Sequence, residues 1–159
     1  MNKIIVVLGS QSDWTIMKEA CLLFEELNIH YSRDVVSAHR TPEHLYEFAK
    51  TAEEMGRKVI IAGAGGAAHL PGMIAALTAI PVIGVPIKSS NLSGLDSLLS
   101  IAQMPPGVPV GTMAINGAKN AALFALSILA LSDDDIRIKL HNYRTNQTET
   151  VMNNRKLVI

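Results

Sequence analysis

The chain has 159 residues, 48% of them apolar and 18% charged, which suits a single folded domain with its own core and excludes a disordered chain. Fourteen Lys and Arg balance fourteen Asp and Glu, so the formal net charge is zero; with no basic block in view, nucleic acid is not an expected partner. The single cysteine, Cys21, cannot form an internal bridge and falls at a helix-interior spacing, where a thiol behaves as a small hydrophobe.

Strand-type and helix-type segments then alternate along the chain. Ile4 to Leu8 is an unbroken apolar run closed by Gly9, the pattern of a strand buried on both faces. Met17, Cys21, Phe24 and Leu27 recur at helical spacing, opposite Lys18, Glu19, Glu25 and Glu26. Tyr31 to Val36 reads as a second strand. Thr41 as N-cap and Pro42 at the first helical position open a second helix, with Leu45, Phe48, Ala49, Ala52 and Met55 facing inward and Gly56 as the stop. Val59 to Ala62 is a third strand, followed by a glycine-alanine loop and a short apolar helix from about Met73 to Thr78. A fourth strand spans Pro81 to Val85, a helix Leu92 to Ile101, and a fifth strand Val108 to Met113. Ala118 to Leu131 is a nearly all-apolar helix, and an amphipathic one runs from Asp133 to about Thr150, with Asp133-Asp134-Asp135 as its acidic start.

This alternation predicts a flavodoxin-like α/β fold, three layers deep, with a doubly wound parallel sheet in the order 2-1-3-4-5. The whole chain, 1–159, is expected to be one domain that ends in a C-terminal helix and tail from about residue 133. Lys3 precedes only five apolar residues, and the run Ala121 to Leu131 is far short of the roughly 20 residues that cross a bilayer. No export signal and no membrane partner are expected, and the expected location is the cytoplasm.

In such a sheet, ligands bind at the carboxyl ends of the strands. The first loop there, Gly9-Ser10-Gln11-Ser12-Asp13, offers hydroxyls and N–H groups that suit an anion. Asp13 would repel phosphate but can accept hydrogen bonds from a ribose diol; alternatively, Ser12 and Asp13 cap the helix. The second loop, Ser37-Ala38-His39-Arg40-Thr41-Pro42, sets an imidazole, the side chain best matched to proton transfer near neutral pH, beside a guanidinium able to fork onto phosphate. Against these stand a surface ion pair for Arg40 and a structural role for His39.

The third loop, Gly63-Ala64-Gly65-Gly66-Ala67-Ala68, matches the spacing G-x-G-x-x-[GA] of dinucleotide sites. It follows the third strand rather than the first, and Val85-Pro86-Ile87-Lys88 lacks the acidic residue that holds a ribose, so a nicotinamide cofactor is rejected. Small residues here let the backbone approach a flat ligand. His69 can polarise a substrate group or tie down the loop. The chain has no Walker loop, no G-x-S-x-G elbow and no metal-type pairing among His30, His39, His44, His69 and His141, so neither cofactor nor metal is expected.

Five segments, taken together, resemble one enzyme family. They are Gly9-Ser10-x-Ser12-Asp13, Ser37 to Pro42, Ala62 to Met73, Gly84-Val85-Pro86 and Gln103-Met104-Pro105-x-Gly107-x-Pro109-Val110. In this order, over nearly the whole chain, they resemble the N5-carboxyaminoimidazole ribonucleotide mutase family of de novo purine synthesis. The resemblance implies a cofactor-free shift of a carboxylate from the exocyclic nitrogen of an aminoimidazole ribonucleotide to a ring carbon. A related branch that carboxylates with carbon dioxide directly carries lysine in place of Arg40 and Arg-Ser-Asn-Gly in place of Gly66-Ala67-Ala68-His69.

Several expectations follow from the resemblance. His39 would be the catalytic proton shuttle, with Ser10, Asp13 and Arg40 holding the ribose phosphate and Ser12 and Ser37 assisting. Ala67, His69 and Leu70 would border the migrating carboxylate. The small ribonucleotide substrate would come from an ATP-dependent partner enzyme, and the protein would be a homo-octamer. One departure stands out: Asn116-Gly117-Ala118-Lys119 is about two residues shorter than the family's glycine-alanine stretch there. Two rival readings are a non-catalytic nucleotide-binding module and a direct carboxylase.

Overall fold

A computed structural model describes residues 2–157. Its centre is a five-stranded, all-parallel sheet in the order β2-β1-β3-β4-β5, as the alternation predicts. The strands are β1 (Ile4–Leu8), β2 (Tyr31–Val35), β3 (Val59–Gly65), β4 (Val82–Ile87) and β5 (Gly111–Thr112). The helices are α1 (Trp14–Glu26), α2 (Pro42–Thr51), α3 (Leu70–Ala75), α4 (Leu95–Ala102), α5 (Ala118–Leu129) and α6 (Asp134–Asn153), with a 3-10 turn at Gln11–Asp13.

The central strands are apolar on both faces because both are covered. Ile5, Val7, Ile60, Ala62 and Ala64 join Leu45 and Ala49 of α2, Ile74 of α3 and Ile101 of α4 in one buried cluster. Alternate residues, Ile4, Val6, Val59 and Ile61, face the other way and are equally inaccessible. On that side Met17 of α1 lies against Gly63, where an added Cβ would fall inside the thioether. Gly63 is therefore a packing glycine.

Element ends depart from the sequence reading for local reasons. β3 runs on to Gly65, so half of the glycine-alanine loop is strand. β4 likewise runs on to Ile87. Pro71 sits in the first turn of α3, which starts it at Leu70 and leaves His69 as the residue before it. Gly94 has φ +97°, a conformation no helix interior accepts, so α4 starts only after it. β5 shrinks to two residues, since Pro109 has no N–H to give a ladder. Regular α2 ends at Thr51 and its turn carries on to a left-handed Gly56, leaving Met55 53% exposed rather than inward-facing. Leu27 is only half-buried, while Ala20 and Leu23 complete the inner face of α1 together with Met17, Cys21 and Phe24.

The described residues divide, after Ala125, into two compact units. In the second, Asp133 caps α6 by accepting from the Ile136 N–H, and Asp134 and Asp135 pair with Arg137 at 2.7 Å and Lys139 at 3.0 Å. Ile136, Leu140 and Tyr143 of α6 are buried, whereas Ile138, Val151 and Met152 are exposed. Val158 and Ile159, the end of the expected apolar tail, lie outside the described residues. Among those described, no helix is long and apolar enough to cross a membrane.

Candidate active site

Four turns at the carboxyl edge, after β1, β2, β3 and β4, enclose a cleft of about 420 Å³. All nine residues that the sequence singles out line it: Ser10, Ser12 and Asp13 from the first turn, Ser37, His39 and Arg40 from the second, and Ala67, His69 and Leu70 from the third.

The first turn is held by a capping box. Ser10 Oγ accepts from the Ser12 N–H at 3.4 Å, and Asp13 Oδ2 accepts from the Ser10 N–H at 3.1 Å. Ser10 is thus the N-cap of the 3-10 turn, with Asp13 as its reciprocal partner. The capping alternative therefore holds for Asp13, which is also the residue before α1, while the Ser12 side chain caps neither. Asp13 is 8% exposed, and burial pushes its carboxyl above the ordinary range; the Ser10 N–H and the Arg40 charge pull the other way without cancelling it.

In the second turn Thr41 does not use its hydroxyl as a cap. Thr41 Oγ1 accepts from the Ser37 N–H and donates to the Ser37 carbonyl, both at 3.0 Å, closing a clasp that fixes the turn's shape. Arg40 Nε donates to Ser37 Oγ at 3.2 Å, and its Nη2 donates to the Gly9 carbonyl at 3.1 Å. Arg40 is therefore no surface ion pair. It ties the second turn to the first and keeps further guanidinium N–H groups for a ligand.

The third turn brings His69 to His39, with His39 Nε2 and His69 Nδ1 at 2.9 Å and the rings edge to face. One of these two nitrogens holds the proton between them. Gly66, at φ +68°, donates its N–H to Ser97 Oγ at 2.8 Å, while the N–H groups of Ala68 and His69 are bonded within the turn. Among the described residues, the Ala67 N–H is the donor of this stretch left for a ligand, one where the sequence suggested several. The Leu70 side chain is buried in the core, so main chain is what it can offer.

Lys88, Ser89 and Ser90 of the fourth turn also line the cleft and were missed. The sequence does carry a signal for them, a polar stretch directly after a strand-type run. Ser97 was missed as well. Fully buried, its hydroxyl donates to the Ile87 carbonyl at 2.6 Å while accepting from Gly66, joining the third and fourth turns.

The site thus combines a hydrogen-bonded imidazole pair, a guanidinium, a buried carboxyl and serine hydroxyls around one cleft. A family model described as AIR carboxylase matches residues 3–150. The chain belongs to the AIR carboxylase family. Among its relatives in that family, a protein of Pyrococcus abyssi named N5-carboxyaminoimidazole ribonucleotide mutase is 62% identical over 144 residues, covering 91% of this chain and 83% of that one. A Haemophilus influenzae protein of the same name is 60% identical over 154 residues, 96% of this chain and 94% of that one. The crystal structure of Treponema denticola PurE superposes with a TM-score of 0.86 at 26% identity, covering 94% of each chain. For an AIR carboxylase family member, the cleft at the strand ends is therefore the place to look for the chemistry.

Proposed function

We propose that this chain is an N5-carboxyaminoimidazole ribonucleotide mutase, moving the substrate carboxylate from the exocyclic nitrogen to the ring carbon to give 4-carboxy-5-aminoimidazole ribonucleotide in purine biosynthesis. Membership of the AIR carboxylase family and the mutase names of relatives at 62% and 60% identity support it. The observation that carries the mechanism is the 2.9 Å contact of His39 with His69 beside the Ala67 N–H in one cleft.

In this reading, His39 delivers a proton to the carbamate nitrogen as the nitrogen–carbon bond breaks, releasing carbon dioxide and the free amine. The electron-rich ring carbon then attacks carbon dioxide, forming the new carbon–carbon bond. His39 takes the proton that this carbon must lose to restore aromaticity. One proton is given and one recovered, so no external acid, base or cofactor enters the balance. His69 accepts from or donates to His39 and holds its ring in place. The Ala67 N–H is a donor for the migrating carboxylate, and exclusion of water by the bound substrate keeps carbon dioxide at the reacting atoms. Arg40, Ser10, Ser12 and Ser37 hold the phosphate. Asp13, fixed by the Ser10 N–H, accepts from the ribose diol.

The same reading includes a homo-octamer in the cytoplasm, fed with its unstable carbamate by an ATP-dependent enzyme. Exposed Ile138, Val151 and Met152 on α6 and exposed Phe124 on α5 support burial between copies.

The test supplies two substrates separately, without ATP: N5-carboxyaminoimidazole ribonucleotide alone, and aminoimidazole ribonucleotide with bicarbonate. Absorbance of the carboxylated imidazole is followed in each. Rapid product from the first alone supports the mutase; product from the second alone marks a direct carboxylase. His39→Asn should lower turnover by roughly 10²- to 10⁴-fold with ribonucleotide binding kept, and retained turnover would remove His39 from the mechanism.

A further inference from the structure

The fourth turn is the part of the cleft to which nothing above gives a task. It is firmly built. The Lys88 N–H donates to Asn116 Oδ1 at 2.9 Å, and the Asn116 N–H returns a bond to the Pro86 carbonyl at 2.8 Å. Ser89 Oγ donates to Asp96 Oδ1 at 2.6 Å, and that carboxylate, held below its ordinary range chiefly by the Ser89 hydroxyl, also accepts from the Ser97 N–H. A backbone fixed this closely carries a cationic side chain with no partner among the described residues. Lys88 is exposed and lines the cleft, and it pairs with no carboxylate among the described residues.

Charge balance gives the free ammonium a purpose. A phosphorylated ribonucleotide carrying a carboxylate brings about three negative charges, roughly −1.5 to −2 of them on the phosphate. Arg40 supplies one positive charge to the cleft, and the Asp13 carboxyl adds none. Two guanidinium N–H groups of Arg40 are already spent on Ser37 and Gly9. Asp96 accepts from Ser89 and Ser97, and no ion pair joins it to Lys88 among the described residues.

We infer that Lys88 is a further substrate-binding residue, its ammonium taking an oxyanion of the ribonucleotide from the β4 side of the cleft while Arg40 grips from the β2 side. This rests on the function proposed above and adds a residue to that site. A lysine suits the task because its long flexible stem lets a point charge follow either the phosphate or the carboxylate.

Lys88→Met and Lys88→Arg are compared with the unchanged chain by titration calorimetry. The probes are aminoimidazole ribonucleotide, which has phosphate alone, and 4-carboxy-5-aminoimidazole ribonucleotide, which has both anions. Loss of a charged contact predicts roughly tenfold weaker binding for Lys88→Met, restored to within a few-fold by Lys88→Arg. Weakening of both ligands assigns Lys88 to the phosphate, and weakening of the second alone assigns it to the carboxylate. Unchanged affinity for both overturns the inference while leaving the mutase reading intact. If the unchanged chain binds neither ribonucleotide, the mutase reading itself fails. Equal thermal midpoints of the three proteins show that the comparison is of binding, not folding.

Discussion

His39 Nε2 stands 2.9 Å from His69 Nδ1, although the strands that lead to these residues, β2 and β3, lie on opposite sides of β1. The two imidazoles meet across the mouth of the central strand. A hydrogen bond that fixes the ring of a proton carrier is worth roughly 1.5–3 kcal/mol when charge is involved. His69→Ala should therefore lower kcat by about ten- to a hundredfold with little change in ribonucleotide affinity. His69→Asn, whose amide can place a polar atom near the lost Nδ1, should lose less. Steady-state kinetics with a parallel binding titration checks this, and equal loss in both variants would argue against a positioning bond.

Asp13 predicts a stability change of a definite sign. Burial, the largest influence, raises its carboxyl above the ordinary 3.8, so the folded chain holds this proton in a pH range where the unfolded chain has lost it. This contribution is most favourable at low pH and declines as pH rises through that range, leaving a cost at neutrality. Asp13→Asn should thus be more stable than the unchanged chain at pH 7, with the gain disappearing below the ordinary carboxylate range. Urea midpoints across pH measure it, and a less stable variant at neutral pH would contradict the sign.

Thr41→Val keeps the shape of residue 41 but removes both bonds of the clasp on Ser37, one of which satisfies a buried N–H. An orphaned donor of this kind costs about 1–3 kcal/mol. The same turn carries His39 and Arg40, so catalytic rate should fall alongside stability, as denaturant unfolding and a rate assay would show together.

Gly63→Ala should destabilise by about 1–3 kcal/mol, the usual cost of overpacking. The added methyl enters the space of the Met17 thioether, which is fully buried and has little room to yield. Pairing it with Met17→Val should recover part of the loss, a coupling that a double-mutant cycle reads directly. Additive losses would mean that the glycine serves something other than this contact.

Much of this was legible in advance because it rests on periodicity. Ile4–Leu8 and Val59–Ile61 are apolar without a break, as a sheet covered on both faces requires, and that requirement fixes the order in which strands and turns meet. The nine cleft residues were found because strand-end turns are few and their chemistry is unusual. What was hidden depends on contacts distant in sequence. Gly63 reads as part of a ligand loop until Met17 is seen beneath it, and no local pattern reveals that Ser97 joins Gly66 to Ile87. Lys88 is a different case: in the sequence it stands out only as lying where a dinucleotide site carries an acidic residue, and its place in the cleft depends on the turn after β4.

Ser97 couples the turns after β3 and β4, and Arg40 couples those after β1 and β2. The rim is thereby grouped into two jaws, joined by the His39–His69 contact and, beneath it, by the bond from the Gly9 N–H to the Gly63 carbonyl. A ligand held by both jaws would rest across the contact between the two imidazoles.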